Sequence, residues 1–282
     1  MCLGIHIDGV FYPLFFKLVS RKIADEQGKN TEENACKVAQ GLVQKWGAFV
    51  SEITKDGFVL PKIPFSCDSG YSDATLSKTC QDNGLIYISV AKKNHIFIFG
   101  GEEKKIADLV SDFEKQEAEY IKNNSLNSAQ LETKGQDQPP YTWRLPGEYK
   151  SQKTKVVLLF FRLNKSKKVS VIYSTHLPIF SKTIRRHWFN RTHIEQFFKL
   201  LKHSMKIQNT IVKTKEAFEK KVSIFMFLGF YLQRFVHYAR KQYDFGIKRK
   251  IGLEAIKRHI IFNADVNQLL EDLLQTGRAA ST

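Results

Sequence analysis

The sequence predicts an α/β fold in which a mixed β-sheet packs against helices and is followed by a helical C-terminal region. Three observations predict it. Residues 63–67 and 85–90 are short apolar runs around a helical stretch at 72–81, the strand–helix–strand order of a parallel pair. Residues 154–163 and 168–174 are β-rich runs around a basic turn at 164–167. After residue 179 the apolar spacing is helical, at 184–205, 213–242 and in a tail at 266–274.

The N-terminal elements follow from turn chemistry and periodicity. Residues 3–7 and 12–19 are β-rich, and Asp8-Gly9 between them supplies the positive φ angles that a hairpin turn needs. Apolar residues recur at helical spacing over residues 32–46, which predicts an amphipathic helix. The pattern weakens from 94 to 146, where we expect a charged helix at 104–122 and an exposed loop at 123–140.

Charge is distributed unevenly along the 282 residues, whose net charge is +16. Up to Pro140 there are 16 Lys and Arg against 19 Asp and Glu, and from Tyr141 onward there are 28 against 9. A strongly basic half favours a polyanionic partner such as nucleic acid, because Lys and Arg that contact phosphates release condensed counterions. A high-pI protein from a lysine-rich proteome is the alternative.

The four cysteines, Cys2, Cys36, Cys67 and Cys80, form no C-x-x-C pair and have no histidine at zinc-ligand spacing. They are expected to be free thiols in a reducing cytosol. We expect no signal peptide, and the most apolar run, 222–232, is too short for a membrane helix.

One helical stretch carries an unusual set of charges. Trp188, Arg191, Glu195, Lys199 and Lys202 recur at three- and four-residue steps, so they are predicted to share a face of one continuous helix. The neighbouring face is apolar. A basic amphipathic helix with a Glu–Lys pair four residues apart is an alternative that periodicity leaves open.

The spacing resembles the Tyr-x2-Arg-x3-Glu-x6-Lys signature of the DDE transposases of insertion-sequence family four, with Trp188 in place of the tyrosine. The family's Arg-Trp-x-Ile-Glu-x-x-Phe text is similar to residues 191–198, with Thr192 in place of the tryptophan. A second resemblance lies at 65–71, Phe-Ser-Cys-Asp-Ser-Gly-Tyr, which is similar to the strand that carries the family's second catalytic Asp. Taken alone, Asp68 is more simply interpreted as a helix N-cap or turn residue than as a catalytic acid. The resemblance covers roughly residues 4–208.

The resemblance implies an RNase H-like fold with a β-rich insertion, and cut-and-paste transposition by phosphodiester hydrolysis and strand transfer. Asp68 and Glu195 would be catalytic acids and ligands of Mg²⁺ or Mn²⁺, which favour carboxylate oxygens and act in pairs at such sites. It also implies contacts to transposon-end and target DNA, a homodimer on paired ends, and a location with the bacterial nucleoid in the cytoplasm. The implied DNA-binding residues are Trp188, Arg191, Lys199, Lys202 and Lys206.

The first catalytic acid of a DDE site has no clear counterpart. Asp8 is the only acid early enough, but Asp8-Gly9 followed by Tyr12-Pro13-Leu14 resembles the family's hairpin after its first strand. We therefore expect the first strand and its Asp to lie upstream of Met1, and the chain alone to be inactive. A non-catalytic DNA-binding protein that uses the basic half is the main alternative, and a nuclease of the same fold is another.

The expected organisation has four parts. Residues 1–93 form the first part of the RNase H-like core, and residues 94–180 form the insertion. Residues 181–212 return to the core with the helix of Glu195, and residues 213–282 form the helical C-terminal region.

Overall fold

The computed structural model describes residues 1–7, 10–17, 31–55, 57, 59–125, 139, 141–162, 168–207 and 214–242. The fold is mixed α/β: a seven-stranded mixed sheet with helices, and a separate two-stranded sheet. The chain divides into two compact units, Met1–Leu3 with Phe15–Thr192, and Gly4–Leu14 with His193–Thr282. These limits differ from the four parts expected from the sequence, which stay a prediction.

The N-terminal hairpin is confirmed. Strands β1 (Cys2–Ile7) and β2 (Val10–Phe16) pair in a sheet of their own. At their open ends Met1 and Lys17 exchange backbone hydrogen bonds of 2.8 and 2.9 Å. Asp8 and Gly9, the predicted turn, lie outside the described residues. Helix α1 (Thr31–Thr54) contains the predicted amphipathic stretch and is eight residues longer at its C-terminal end.

The parallel unit is also confirmed. Strand β3 (Ile63–Ser66), helix α2 (Ala74–Asp82) and strand β4 (Leu85–Val90) follow one another, and β3 pairs with β4 in parallel, with Phe65 opposite Tyr87. Asp73 is the N-cap of α2, where its carboxylate accepts the Leu76 N–H at 2.8 Å. The interpretation of Asp68 as the cap of this helix is therefore wrong.

Three strands lie where the sequence pattern was weak. Strands β5 (Ile96–Phe99) and β6 (Glu102–Lys105) form a hairpin around Gly100 and Gly101, whose φ angles are +61° and +87°. Strand β7 (Thr142–Tyr149) pairs with β5 and along its whole length with the next strand. The charged helix α3 (Ile106–Asn123) is confirmed, whereas most of the predicted 123–140 loop lies outside the described residues.

Strands β8 (Thr154–Arg162) and β9 (Val169–Ser174) form the predicted antiparallel pair, and the turn at 164–167 lies outside the described residues. The strand order in the sheet is β3-β4-β9-β8-β7-β5-β6. The strands that the resemblance assigns to an insertion are therefore hydrogen-bonded into the same sheet as the parallel pair. Within the described chain, β3 and β6 are the two edge strands.

The sheet is covered on both faces. On one face, helix α4 (Ser181–Asn190) packs through Ile184, Trp188 and Phe189 against a core formed by alternate residues of β4, β8 and β9. On the other face, Phe113 of α3 stacks on Phe160 at a centroid distance of 6.0 Å. A sheet buried on both faces explains the continuous apolar runs of β4 and β8.

The predicted continuous helix across Glu195 is wrong in two places. Helix α4 ends at Asn190 and helix α5 (Thr192–Lys199) begins two residues later, because the Arg191 N–H bonds back to the Trp188 carbonyl and the Thr192 hydroxyl donates to the Phe189 carbonyl. Residues Leu200–Ser204 then form a π-helical turn. A wider turn shifts the phase of the residues that follow.

Helix α6 (Lys215–Gln242) confirms the predicted long helix. In the unit that it shares with Gly4–Leu14, its Gln233 side chain accepts the Phe11 N–H at 3.0 Å, and Phe11 also contacts Phe197. The predicted tail helix at 266–274 lies outside the described residues. Among the helices that the structure describes, none is both long and apolar enough to cross a membrane.

Gly147 in β7 packs so closely against β5 that there is no room for a side chain. A Cβ there would lie 2.4 Å from the Ile98 carbonyl oxygen of β5, a backbone atom that cannot move away without breaking the pairing. We expect Gly147→Ala to lower the free energy of unfolding by about 1–3 kcal/mol, measured by urea denaturation. Gly41→Ala in α1, where a Cβ meets nothing within 4 Å, is the control and should stabilise by up to about 1 kcal/mol. Equal effects at the two positions would contradict this packing.

Candidate functional site

Asp68 lies just beyond the C-terminal end of β3, the edge strand that pairs in parallel with β4. Its carbonyl accepts the Tyr71 N–H at 2.9 Å and opens a short 3-10 turn, Ser69–Tyr71. The preceding residue, Cys67, is buried and donates its N–H to the Ile88 carbonyl of β4 at 3.3 Å. The Asp68 side chain is 59% exposed, so a carboxylate stands at the carboxyl edge of the sheet with its backbone fixed.

Two buried tyrosines, Tyr87 and Tyr173, form hydrogen bonds to residues in and next to this turn. The Tyr87 hydroxyl donates to the Tyr71 carbonyl, and the Cys67 thiol donates to the Tyr87 hydroxyl at 3.3 Å. The Tyr173 hydroxyl bonds to the Ser72 hydroxyl at 3.2 Å. Burial raises the pKa of both phenols, that of Tyr173 to about 12, so they stay protonated at neutral pH. The sequence pattern shows these tyrosines only as β-strand residues, so their bracing role was not predictable from it.

Arg191, which is 123 positions further along the chain, contacts Asp68. Its guanidinium Nη1 is 3.6 Å from Asp68 Oδ2, and its side chain is 19% exposed. A second bond draws the same elements together, because the Ser66 hydroxyl of β3 donates to the His187 carbonyl of α4 at 3.1 Å. The Asp68 motif therefore meets the Arg191 part of the second motif, which lies in the same unit.

Trp188 completes this group. The Arg191 guanidinium lies over the Trp188 ring at 4.6 Å from its centroid, a cation–π arrangement. Trp188 itself packs against the sheet core, so it holds the guanidinium on a rigid aromatic surface. The Asp68 carboxylate thus contacts the Arg191 guanidinium, which in turn contacts the Trp188 ring. These three residues form the Asp68 cluster.

Glu195 belongs to the second unit, where it lies on α5 and is exposed. Lys199, at the end of α5, and Lys202, in the π turn, are exposed as well. Lys206, which follows with a positive φ of 51°, is also exposed. The four side chains therefore reach solvent, although the π turn and the left-handed Lys206 place them off a regular α-helical stripe.

The carboxylate oxygens of Asp68 and Glu195 are donors that Mg²⁺ and Mn²⁺ favour. Two carboxylates are fewer than a DDE site uses, and Asp8, the candidate third acid, lies outside the described residues. Among the residues that the structure describes, no group of three His, Cys, Asp or Glu side chains is placed to hold a metal ion. The described residues therefore do not by themselves fit a complete two-metal site.

No protein-family model matches this chain, and no curated protein sequence matches it. The functional assignment therefore rests on the geometry of the Asp68 cluster and on the charges around Glu195.

The reactivity of the Cys67 thiol, which is next to Asp68, tests whether this end of β3 is buried. Burial raises the pKa of the Cys67 thiol to about 11 and also raises that of Cys80. At pH 8 about one Cys67 in a thousand is a thiolate, the reactive form. We expect neither thiol to react with a maleimide until the chain unfolds, whereas the partly exposed Cys36 provides the internal comparison. Peptide mass spectrometry before and after urea checks this, and rapid labelling of Cys67 in the folded chain would contradict it.

Proposed function

We propose that this chain carries the RNase H-like fold of a DDE transposase and takes part in cut-and-paste DNA transposition. Asp68 and Glu195 are two of the three catalytic acids, and Arg191, Trp188 and the exposed lysines bind transposon-end DNA. The chain has this chemistry only when a third acid completes the site. The membership in insertion-sequence family four is part of the same proposal.

The observation that carries the proposal is the contact between Arg191 and Asp68. A basic amphipathic helix without function has no reason to bring its arginine to an exposed acid at the end of a distant strand. The Asp68 carboxylate is 59% exposed and lies 3.6 Å from Arg191, so solvent screens the pair and its contribution to folding is small, about 1 kcal/mol or less. In a DDE site the same arginine binds a phosphate next to the catalytic acid, and this proximity is what the geometry provides.

The arrangement of charge supports DNA as the partner. Lys199, Lys202 and Lys206 are exposed and follow Glu195 directly. The half of the chain that contains them has 28 basic against 9 acidic residues. Lysines of this kind bind phosphates at many sequences, so they position DNA and read few bases. In the first unit, the Trp188 ring that contacts Arg191 supplies a flat surface on which a base could stack.

The sheet leaves room for the missing first acid of the DDE site. Within the described chain β3 is an edge strand, so the backbone on its outer side can pair with one more strand. A strand in that position would end beside Asp68 if it ran parallel to β3. We propose that such a strand, with an acid near its C-terminal end, supplies the first acid, whereas Asp8 precedes β2, which pairs with β1 in a separate sheet. A divalent metal pair held by the complete set would stabilise both the attacking and the leaving oxygen of a phosphodiester.

A non-catalytic DNA-binding protein is the second candidate. Two observations favour it: Arg191 compensates the charge of Asp68, and the described residues hold no group of three side chains placed to bind a metal ion. The basic residues would then bind phosphates without any chemistry at the acids.

One experiment separates the two candidates. A fluorescent duplex is titrated with the full chain over a salt series, and a supercoiled plasmid is incubated with the same protein and Mg²⁺ or Mn²⁺. The transposase proposal expects salt-dependent binding and metal-dependent nicking, the latter stimulated when a peptide or upstream segment supplies a further acidic strand. Binding without nicking under all conditions supports the non-catalytic candidate. Absence of salt-dependent binding contradicts both.

A further inference from the structure

Helix α6 carries an exposed apolar stripe. Ile224, Phe227, Leu228 and Tyr231 are 59%, 59%, 49% and 51% exposed, and they recur at three- and four-residue steps. The Phe227 and Tyr231 rings also contact each other, with centroids 4.6 Å apart. These four residues therefore form one continuous patch, called the α6 stripe below.

The opposite face of the same helix is already buried. Val222 and Met226 are 6% exposed, and a Cβ at Gly229 would meet the Leu201 side chain at 2.5 Å. A helix that is apolar on two opposite faces is normally covered on both. Because the described residues of the second unit cover one face only, we infer that the α6 stripe has a partner of its own.

The sequence after α6 provides a matching segment. Residues 266–274 place Val266, Leu269, Leu270 and Leu273 at helical spacing, while Gln268 and the next residue after the segment, Gln275, fall on the other side. This segment lies outside the described residues. We propose that residues 266–274 of the same chain dock their leucines on the α6 stripe.

Reach and charge both fit this occupant. The 23 residues between Gln242 and Val266 span up to about 75 Å when extended, whereas Phe227 lies only about 22 Å back along the helix axis from Gln242. Between residues 259 and 277 the chain has three acids, Asp265, Glu271 and Asp272, and no Lys or Arg. The stripe is bordered at one end by Lys221 and by Lys220, which pairs with Glu216 at 2.8 Å, and near the other end by Arg234. An acidic amphipathic segment complements Lys221 and Arg234, whereas a second α6 would bring the same two cations to the stripe.

Photocross-linking on the full chain tests the proposal. Phe227, whose ring is exposed, is replaced by p-benzoylphenylalanine, and the irradiated protein is digested with trypsin. The docked segment falls in a single tryptic peptide, residues 259–278. We expect Phe227 to be joined to that peptide in a product of single-chain mass. A product of twice that mass joined to residues 215–242 identifies a second copy on the stripe and overturns the proposal, as does the absence of any cross-link.

Paired tail variants make the test specific. Leu270→Asp with Leu273→Asp places two charges on the docking side, and the cross-link yield should fall by about tenfold or more, because burying these charges opposes docking. Gln268→Asp with Gln275→Asp adds the same charge on the other side and should leave the yield within about twofold. Both variants leave the residues of the Asp68 cluster untouched, so the outcome is independent of the proposed function. Equal yields from the two variants overturn the proposal.

Discussion

Replacing Lys199, Lys202 and Lys206 together by alanine is expected to weaken binding to duplex DNA by about two to three orders of magnitude at about 0.1 M salt. Each lysine that neutralises a phosphate releases a condensed counterion, so three lost contacts lower the slope of log K against log salt by about 2.7. The three side chains are exposed, and their removal should leave the fold unchanged. Fluorescence anisotropy over a salt series measures both quantities.

The control for this variant removes equal charge elsewhere. Lys55, Lys115 and Lys122 are exposed residues of the acidic half, and their triple alanine variant should change the slope by less than about 0.5. If the two triple variants lose equal affinity, net charge alone explains DNA binding, and the lysines after Glu195 have no special role.

Asp68→Ala is expected to abolish metal-dependent nicking, with a loss of at least about 10³-fold from the wild-type rate under conditions where nicking is observed. Removing this carboxylate takes away an oxygen ligand of the proposed metal pair and leaves the Arg191 guanidinium without its 3.6 Å partner. Binding to DNA should be retained or slightly strengthened, since one negative charge near the phosphates is removed. Plasmid relaxation and anisotropy on the same preparation separate the two effects.

Asp82→Ala is the matched control. Asp82 is an exposed acid at the C-terminal end of α2, and its loss changes the net charge by the same amount. We expect nicking by this variant to stay within about twofold of wild type. Equal nicking by wild type and Asp68→Ala would show that the activity comes from elsewhere, and Asp68 would then have no catalytic role.

Much of the fold was predictable where one local pattern dominates. The hairpin of β1 and β2, the parallel unit of β3, α2 and β4, and the pair of β8 and β9 each follow from apolar runs between turn residues. Helices α1 and α6 follow from periodicity, and α3 was expected from its charged composition. Each of these elements buries one or two faces against its neighbours, and the spacing of its apolar residues in the sequence reflects which faces are buried.

The missed strands have physical reasons. Strand β6 reads Glu-Glu-Lys-Lys, and its charges suit an edge strand, where they discourage further pairing. The Gly100-Gly101 pair before it was the available indication of a tight hairpin. Strand β7 contains Pro146, which is tolerated because β5 pairs only with Glu148 and Tyr149, beyond the proline.

The site was only partly predictable. The sequence pointed to Asp68 and Arg191 separately, but their contact depends on the Ser66–His187 bond and on how α4 crosses the sheet. At the Arg191 break the Thr192 hydroxyl competes for a backbone carbonyl, and the π turn at Leu200–Ser204 is closed by the Met205 N–H on the Leu200 carbonyl at 3.2 Å. Apolar periodicity records neither feature. For this reason the five-residue face predicted around Glu195 is replaced by two sets, one in each unit.

The separation of the Asp68 and Glu195 carboxylates tests the proposed function most directly. It is measured in a crystal structure of the full chain with Mn²⁺ and a DNA end, where anomalous scattering locates the ions. A DDE site predicts carboxylates no more than about 8 Å apart, each bound to one of two ions about 3.5–4 Å from each other. A greater separation, or ions that bind only one of the two acids, would contradict the catalytic assignment of Glu195 and leave DNA binding alone.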